Sequence, residues 1–197
     1  DLTVPLSRFY SNNANDLPTP FKALQMGSVW RADRPQRGRF RQFVQCDIDI
    51  LGEPTCLAEI ELILATTTLL GKLNFKDFKV RINERRILKA MASYSGFTED
   101  QYDQVFIILD KMDKIGWDGV KAELIESGYP EANVEKYVTM FDEMEKAEDA
   151  LAYLSEKLSG VLEEDVIENL RTIRTSVEAT AASKFQLVFD PTLVRGM

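Results

Sequence analysis

The chain has 197 residues, 45% of them hydrophobic, with 24 Lys and Arg against 32 Asp and Glu and no histidine. That length fits one large domain or two small ones, and no apolar run approaches the ~20 residues of a membrane span. The missing histidine excludes Ser-His-Asp and Cys-His catalysis within the chain, and two cysteines without a CxxC pair exclude a disulfide framework and the usual zinc sites.

Residues 1–13 read as a strand end leading into a short helix that Pro5 opens. Asn12 to Pro20 is a polar loop. Phe21 to Arg31 reads as a strand, with Leu24, Met26 and Trp30 on one face. Asp33 to Gly38 makes a polar turn, and a second strand completes a hairpin over roughly 21–50. Gly52-Glu53-Pro54 breaks the chain. A helix is expected from about 55 to 71, with Leu57, Ile60 and Leu64 at helical spacing. Glu59 and Glu61 lie near its positive end, where dipole compensation accounts for them. Lys76 to Asn83 alternates as a strand, with Phe78, Val80 and Ile82 on one face.

A helical block follows. Thr98-Glu99-Asp100-Gln101 is a capping box that opens a helix carrying Tyr102, Val105, Phe106, Leu109 and Met112. Gly116 interrupts it, and a short helix near 118–127 ends at Gly128. Pro130 opens the next helix, with Val134, Val138, Phe141 and Met144 in register. Leu151, Leu154 and Leu158 continue the spacing, and a last helix carries Val166, Leu170, Ile173 and Val177. These Met and aromatic stripes are expected to be core. Lys184 to Asp190 returns to alternation, so the helices form a module inserted between two strands of one sheet. Residues 83–183 hold 11 Lys and Arg against 22 Asp and Glu, a net of −11, while the remainder holds 13 against 10. A basic part therefore surrounds an acidic module.

The second strand sorts its residues by chemistry. With period two, Arg39, Arg41, Phe43, Gln45, Asp47 and Asp49 share one face. Phe40, Gln42, Val44, Cys46, Ile48 and Ile50 share the other, which is expected to pack on a core with Cys46 as a buried thiol. Same-face neighbours lie ~6.6 Å apart, so Arg39 to Asp49 spans about 33 Å when extended. Guanidinium groups fork onto phosphates. Phe43 offers a flat surface to a base, and the aspartates accept from an ammonium. A solvated edge hairpin and a nucleic-acid hairpin are the alternatives. The carboxylates on the same face argue against simple strand binding.

The run Val29-Trp30-Arg31-Ala32-Asp33-Arg34-Pro35-Gln36-Arg37-Gly38-Arg39-Phe40-Arg41-Gln42-Phe43 resembles motif 2 of class II aminoacyl-tRNA synthetases. Its Arg-Pro-Gln-x-Gly-Arg-x-Arg-Gln-Phe form is similar to that of histidyl-tRNA synthetases. Asp1-Leu2-Thr3-Val4-Pro5-Leu6 resembles the segment before motif 2, and Leu193-Val194-Arg195-Gly196-Met197 resembles the start of the family's histidine-specific peptide. The resemblance implies an α+β fold: part of the class II antiparallel sheet with flanking helices, plus an all-helical inserted module. It also implies activation of histidine with ATP, accompanied by Mg²⁺, and transfer of the histidyl group to tRNA(His). By the same resemblance Arg31 holds the α-phosphate and the histidine carboxylate. Asp33 contacts adenine, Arg39 meets the outer phosphates and Phe43 stacks on the base. Asp1, Thr3 and Gln45 bind the α-amino group, Asp49 accepts from the imidazole, and Arg195 is the catalytic arginine beside Arg31. Asp47 has no assigned role, and no independent metal site is implied.

Domain boundaries follow as 1–83 for the core part containing motif 2, 84–182 for the helical insertion domain and 183–197 for the return strand. The insertion domain occupies the place of a tRNA-contacting module. Its acidity leaves a plain packing module as the equal alternative, with Arg85, Arg86, Lys89, Arg171 and Arg174 as the candidate phosphate contacts. The runner-up for the whole chain is a non-catalytic paralogue, either a regulatory subunit of ATP phosphoribosyltransferase or a synthetase-like sensor domain. Both ends read as cut, so the chain is expected to be a fragment that does not sustain aminoacylation alone. The full-length enzyme is expected to be a cytoplasmic homodimer with no membrane association.

Overall fold

Alternation from Phe21 and again toward Ile50 produces two strands of equal length. β1 (Phe21–Trp30) and β2 (Gln42–Leu51) pair antiparallel, from Phe21 opposite Leu51 to Trp30 opposite Gln42. α1 (Thr3–Asn13) precedes them and α2 (Leu57–Lys72) follows. Pro5 falls in the first turn of α1, where a backbone N–H has no intrahelical acceptor to lose. The computed structural model describes residues 1–194 of this α+β chain. They fall into two compact units, the first covering residues 1–69 and the second starting at Leu70.

In the hairpin, burial runs opposite to expectation. Leu24, Met26, Trp30 and Val44 are each about two-thirds exposed or more, and Cys46 is exposed. The face carrying Gln25, Phe43, Gln45, Asp47 and Asp49 is the half-buried one. Alternation assigns residues to faces but does not say which face meets a partner. Here α1 lies along the polar face. Its Phe9 and Tyr10 rings stand 6.2 and 5.9 Å from the Phe21 ring, and Leu2 lies 3.6 Å from where a Cβ on Gly27 would stand. Most of the apolar face is left open among the described residues.

The second unit begins with β3 (Lys79–Ile82), which pairs in parallel with β4 (Gln186–Phe189), Lys79 opposite Gln186. Parallel strands require a long crossover, and the helical block supplies it. The block contains α3 (Arg85–Ser95), α4 (Tyr102–Leu109), α5 (Met112–Glu126), α6 (Glu131–Lys146), α7 (Ala150–Lys157) and α8 (Glu164–Thr180). The capping box forms as expected, with the Thr98 N–H donating to Gln101 Oε1 at 3.0 Å, although its first turn is a 3₁₀ turn at Glu99–Gln101. Gly116 breaks α5 with φ 68° and ψ 176°.

The core of this unit takes one apolar face from each helix. Ile87, Met91, Val105, Leu109, Val120, Leu124, Val134 and Leu154 are all buried. Phe97, Tyr137 and Phe141 stack edge to face through its middle, with centroids 5.6 and 5.1 Å apart. The Tyr137 hydroxyl is buried with no partner among the described residues, and burial raises its pKa beyond the ordinary tyrosine range. The methionines and aromatics of the block are therefore core, as their spacing predicts.

Asp149 shows how local chemistry starts a helix. Its carboxylate accepts from the Leu151 and Ala152 N–H groups at 2.9 and 3.2 Å and from Arg171 at 2.9 Å. Burial alone would push its pKa up, but the bonds from Ala152, Arg171 and Leu151 outweigh that, and the net shift is downward from 3.8. A depressed folded pKa makes this contribution complete above the ordinary aspartate range. The contribution disappears as pH falls through the lower folded value. Asp149→Ala is expected to cost about 1 kcal/mol at pH 7. Urea midpoints at pH 7 and below pH 3 check it, because the difference between variant and parent should shrink at the lower pH.

Candidate functional site

The polar hairpin face gathers chemistry at two ends. At the loop end, Arg31 extends the ladder by donating its backbone N–H to Arg41 O at 2.8 Å. Its guanidinium is gripped by Asp1 through two bonds, Nε to Oδ1 and Nη2 to Oδ2, each 3.1 Å. The same guanidinium carbon lies 5.1 Å from the Phe43 ring centroid. Arg31 is thus fixed between a carboxylate and an aromatic ring while nearly half of its side chain stays exposed. Two of its five donors face Asp1, and the rest remain available to an anion.

At the far end, Asp49 accepts from Gln25 Nε2 at 3.2 Å. Gln25 stands directly opposite Asp47 in the register, and Ala23 stands opposite Asp49. Between the two ends, Gln45 lies opposite Gly27. Its Oε1 is buried and has no partner among the described residues. A buried acceptor left unpaired costs free energy unless a donor arrives. Thr3 opens α1 in an exposed position, and its carbonyl accepts from Ser7 Oγ at 2.9 Å.

The expected placement of Arg39 and Arg41 on the strand face is corrected. β2 begins at Gln42, so neither arginine belongs to the strand; Arg41 adds only one backbone acceptor, to the Arg31 N–H, and the 33 Å reading from Arg39 does not apply. Gln36 and Arg39 close a tight turn with two backbone bonds of 3.1 and 2.8 Å, and Gly38 takes φ 77°, a conformation glycine adopts without a steric penalty. Pro35 brings no N–H to the segment, so ladder pairing cannot run through it. Within the loop Arg39 pairs with Asp33 at 3.2 Å, and Arg41 Nε donates to Asp33 O at 3.3 Å. Asp33 and Arg39 therefore occupy each other. Arg195 lies outside the described residues.

The hairpin and α1 bring together Asp1, Arg31 and Phe43 at one end, with Gln45 and Asp49 on the same face. Gln25 escaped the reading by composition. The available signal was its period-two register with Arg31, as a lone polar residue among Ala23, Gly27 and Val29. In the helical unit, four of the five candidate phosphate contacts carry carboxylate partners. Arg85 meets Asp103, Arg86 meets Glu84, Glu163 and Asp165, Arg171 meets Asp149 and Arg174 meets Glu178.

The family model described as histidyl-tRNA synthetase matches residues 1–197. The chain belongs to the histidyl-tRNA synthetase family. Among its relatives, a histidine–tRNA ligase of Leifsonia xyli subsp. xyli is 43% identical across the whole chain, which covers 46% of that protein. A histidine–tRNA ligase of Flavobacterium johnsoniae is 39% identical across the whole chain, which covers 42% of that protein. The chain therefore spans about half the length of the curated relatives it matches. The crystal structure of histidyl-tRNA synthetase from Nostoc sp. PCC 7120 superposes with TM-score 0.83 at 29% identity, over all of this chain and 46% of that one. A Bacillus halodurans structure titled as an ATP phosphoribosyltransferase regulatory subunit/histidyl-tRNA synthetase gives 0.75 at 19% identity, over 98% of this chain and 49% of that one, and shows a shared fold alone. No helix of the described residues is long and apolar enough to cross a membrane.

Proposed function

We propose that this chain forms part of an ATP-dependent histidine–tRNA ligase. A histidine carboxylate oxygen attacks the α-phosphorus of ATP, pyrophosphate leaves, and the histidyl group passes from the adenylate to tRNA(His). The observation that carries this reading is the pairing of a fixed guanidinium with a buried, unpartnered acceptor on one sheet face. Arg31 meets the negative charge of the α-phosphate and the histidine carboxylate, and holding it in advance lowers the cost of reorganisation during reaction. Gln45 Oε1 and Asp1 accept from the α-ammonium, beside Thr3. Asp49 accepts from the imidazole N–H. Phe43 stacks on adenine, Asp33 contacts its amino group and Arg39 leaves Asp33 to meet the outer phosphates. Arg195 adds a second cation at the reacting phosphate.

Mg²⁺ belongs to this reading as the ion that enters with ATP. Among the described residues no three His, Cys, Asp or Glu side chains gather into a site for it. In the same reading, residues 84–182 are the insertion domain and the full-length enzyme is a cytoplasmic homodimer. The carboxylate partners of Arg85, Arg86, Arg171 and Arg174 favour a packing role over dense phosphate contact for this block, because a neutralised cation displaces few counterions.

The test is exchange of labelled pyrophosphate into ATP by the full-length protein. Exchange is expected with histidine and not with the other nineteen amino acids. Exchange absent with histidine overturns the reading.

A further inference from the structure

We infer that Gln25 is a positioning residue that sets the orientation of Asp49 toward the substrate imidazole. The inference rests on the histidine-activating reading and adds to it a residue outside the family resemblance.

Asp49 and Asp47 lie two residues apart on one strand and therefore share a face. Gln25 comes from the neighbouring strand, directly opposite Asp47 and one diagonal step from Asp49. Its Nε2 reaches Asp49 Oδ2 at 3.2 Å in a part-buried position. An ionised carboxylate only accepts, so the amide must present its NH₂ end to Asp49. That bond takes one oxygen and leaves Oδ1 without a hydrogen bond among the described residues. A carboxylate held by one oxygen has its rotation restricted, and the second oxygen points in a defined direction. The geometry suits recognition of a single N–H on a flat ring. A neutral amide is also the fitting neighbour for two carboxylates, since it donates without cancelling the charge that draws an imidazole N–H.

The alternatives are weaker. The open apolar face of the hairpin gives no indication of what covers it. In the large cleft beside Trp117, Arg81 and Arg174 already pair with Asp190 and Glu178.

Gln25→Met keeps the length and approximate volume of the side chain and removes the donor. In the full-length protein it is expected to raise the histidine KM about tenfold, the scale of one hydrogen bond to a charged group. The ATP KM, the kcat and the melting temperature should stay near parental values. A structural role for Gln25 would move the melting temperature and both KM values together. In an Asp49→Ala background, Gln25→Met should add nothing further, because the carboxylate that Gln25 orients is already gone. An unchanged histidine KM in Gln25→Met, or an additive double variant, overturns the inference. Either result leaves the histidine-activating reading intact, provided the parent protein still shows histidine-dependent exchange. Loss of that parental exchange would sink both.

Discussion

Arg31→Lys in the full-length protein is expected to slow histidine-dependent pyrophosphate exchange by about a hundredfold to a thousandfold, the cost of removing one preorganised donor at a developing charge. The substitution preserves the positive charge, so the expectation concerns shape. Arg31 spans Asp1 with two bonds, and its guanidinium carbon stands over the Phe43 ring. A lysine ammonium is a point charge on a flexible stem and cannot fork between a carboxylate and a substrate anion at once. The effect should fall mainly on kcat, because the interaction strengthens as charge builds on the phosphate. If Arg31→Lys retained more than about a third of the parental rate, charge alone would suffice, and the bidentate grip by Asp1 would have no catalytic consequence.

Leu154→Ala is expected to destabilise the helical unit by about 2–5 kcal/mol. Leu154 is fully buried on α7, which touches both α6 and α8. Truncation leaves a cavity at the meeting of three helices, where no single helix can shift to close it. That loss is a large share of the total stability of a domain, and the melting temperature should fall on the order of 10 °C. Ile107→Ala serves as the control, since Ile107 is more than half exposed and a surface change should stay within about 0.5 kcal/mol. Equal melting shifts for the two variants would show that Leu154 does not belong to the cooperative core.

The helical block was largely legible from spacing and punctuation. Gly116, the Thr98–Gln101 box and the buried positions Val134, Leu154 and Val177 all match what 3.6-residue periodicity and cap chemistry dictate. Those signals are local, and local chemistry decides them. The hairpin shows the limit. Alternation separated Asp49 from Ile48 correctly, but burial depends on which face meets α1, and that is a tertiary outcome. The loop misled for a related reason. Period two read back past Gln42 places Arg39 on the strand face, whereas Arg39 closes a turn with Gln36 and the register ends at Trp30 opposite Gln42. Within the site, the motif supplied the residue types. It could not supply the Asp1 grip on Arg31 or the Gln25 contact with Asp49, because each joins segments distant in sequence.

The parallel pairing of Lys79 with Gln186 has a consequence for synthesis. At ~5–20 residues per second, translation delivers β4 about 5–20 seconds after β3. Throughout that interval β3 has no strand to pair with. Helices α3 to α8 emerge in the meantime, and their contacts are mostly between near neighbours in sequence, which is the topology that assembles fastest. The block therefore folds while its closing strand is still inside the ribosome. When β4 appears, it pairs with β3, whose Ile82 packs on the helical core, and Phe189 and Val194 complete that core.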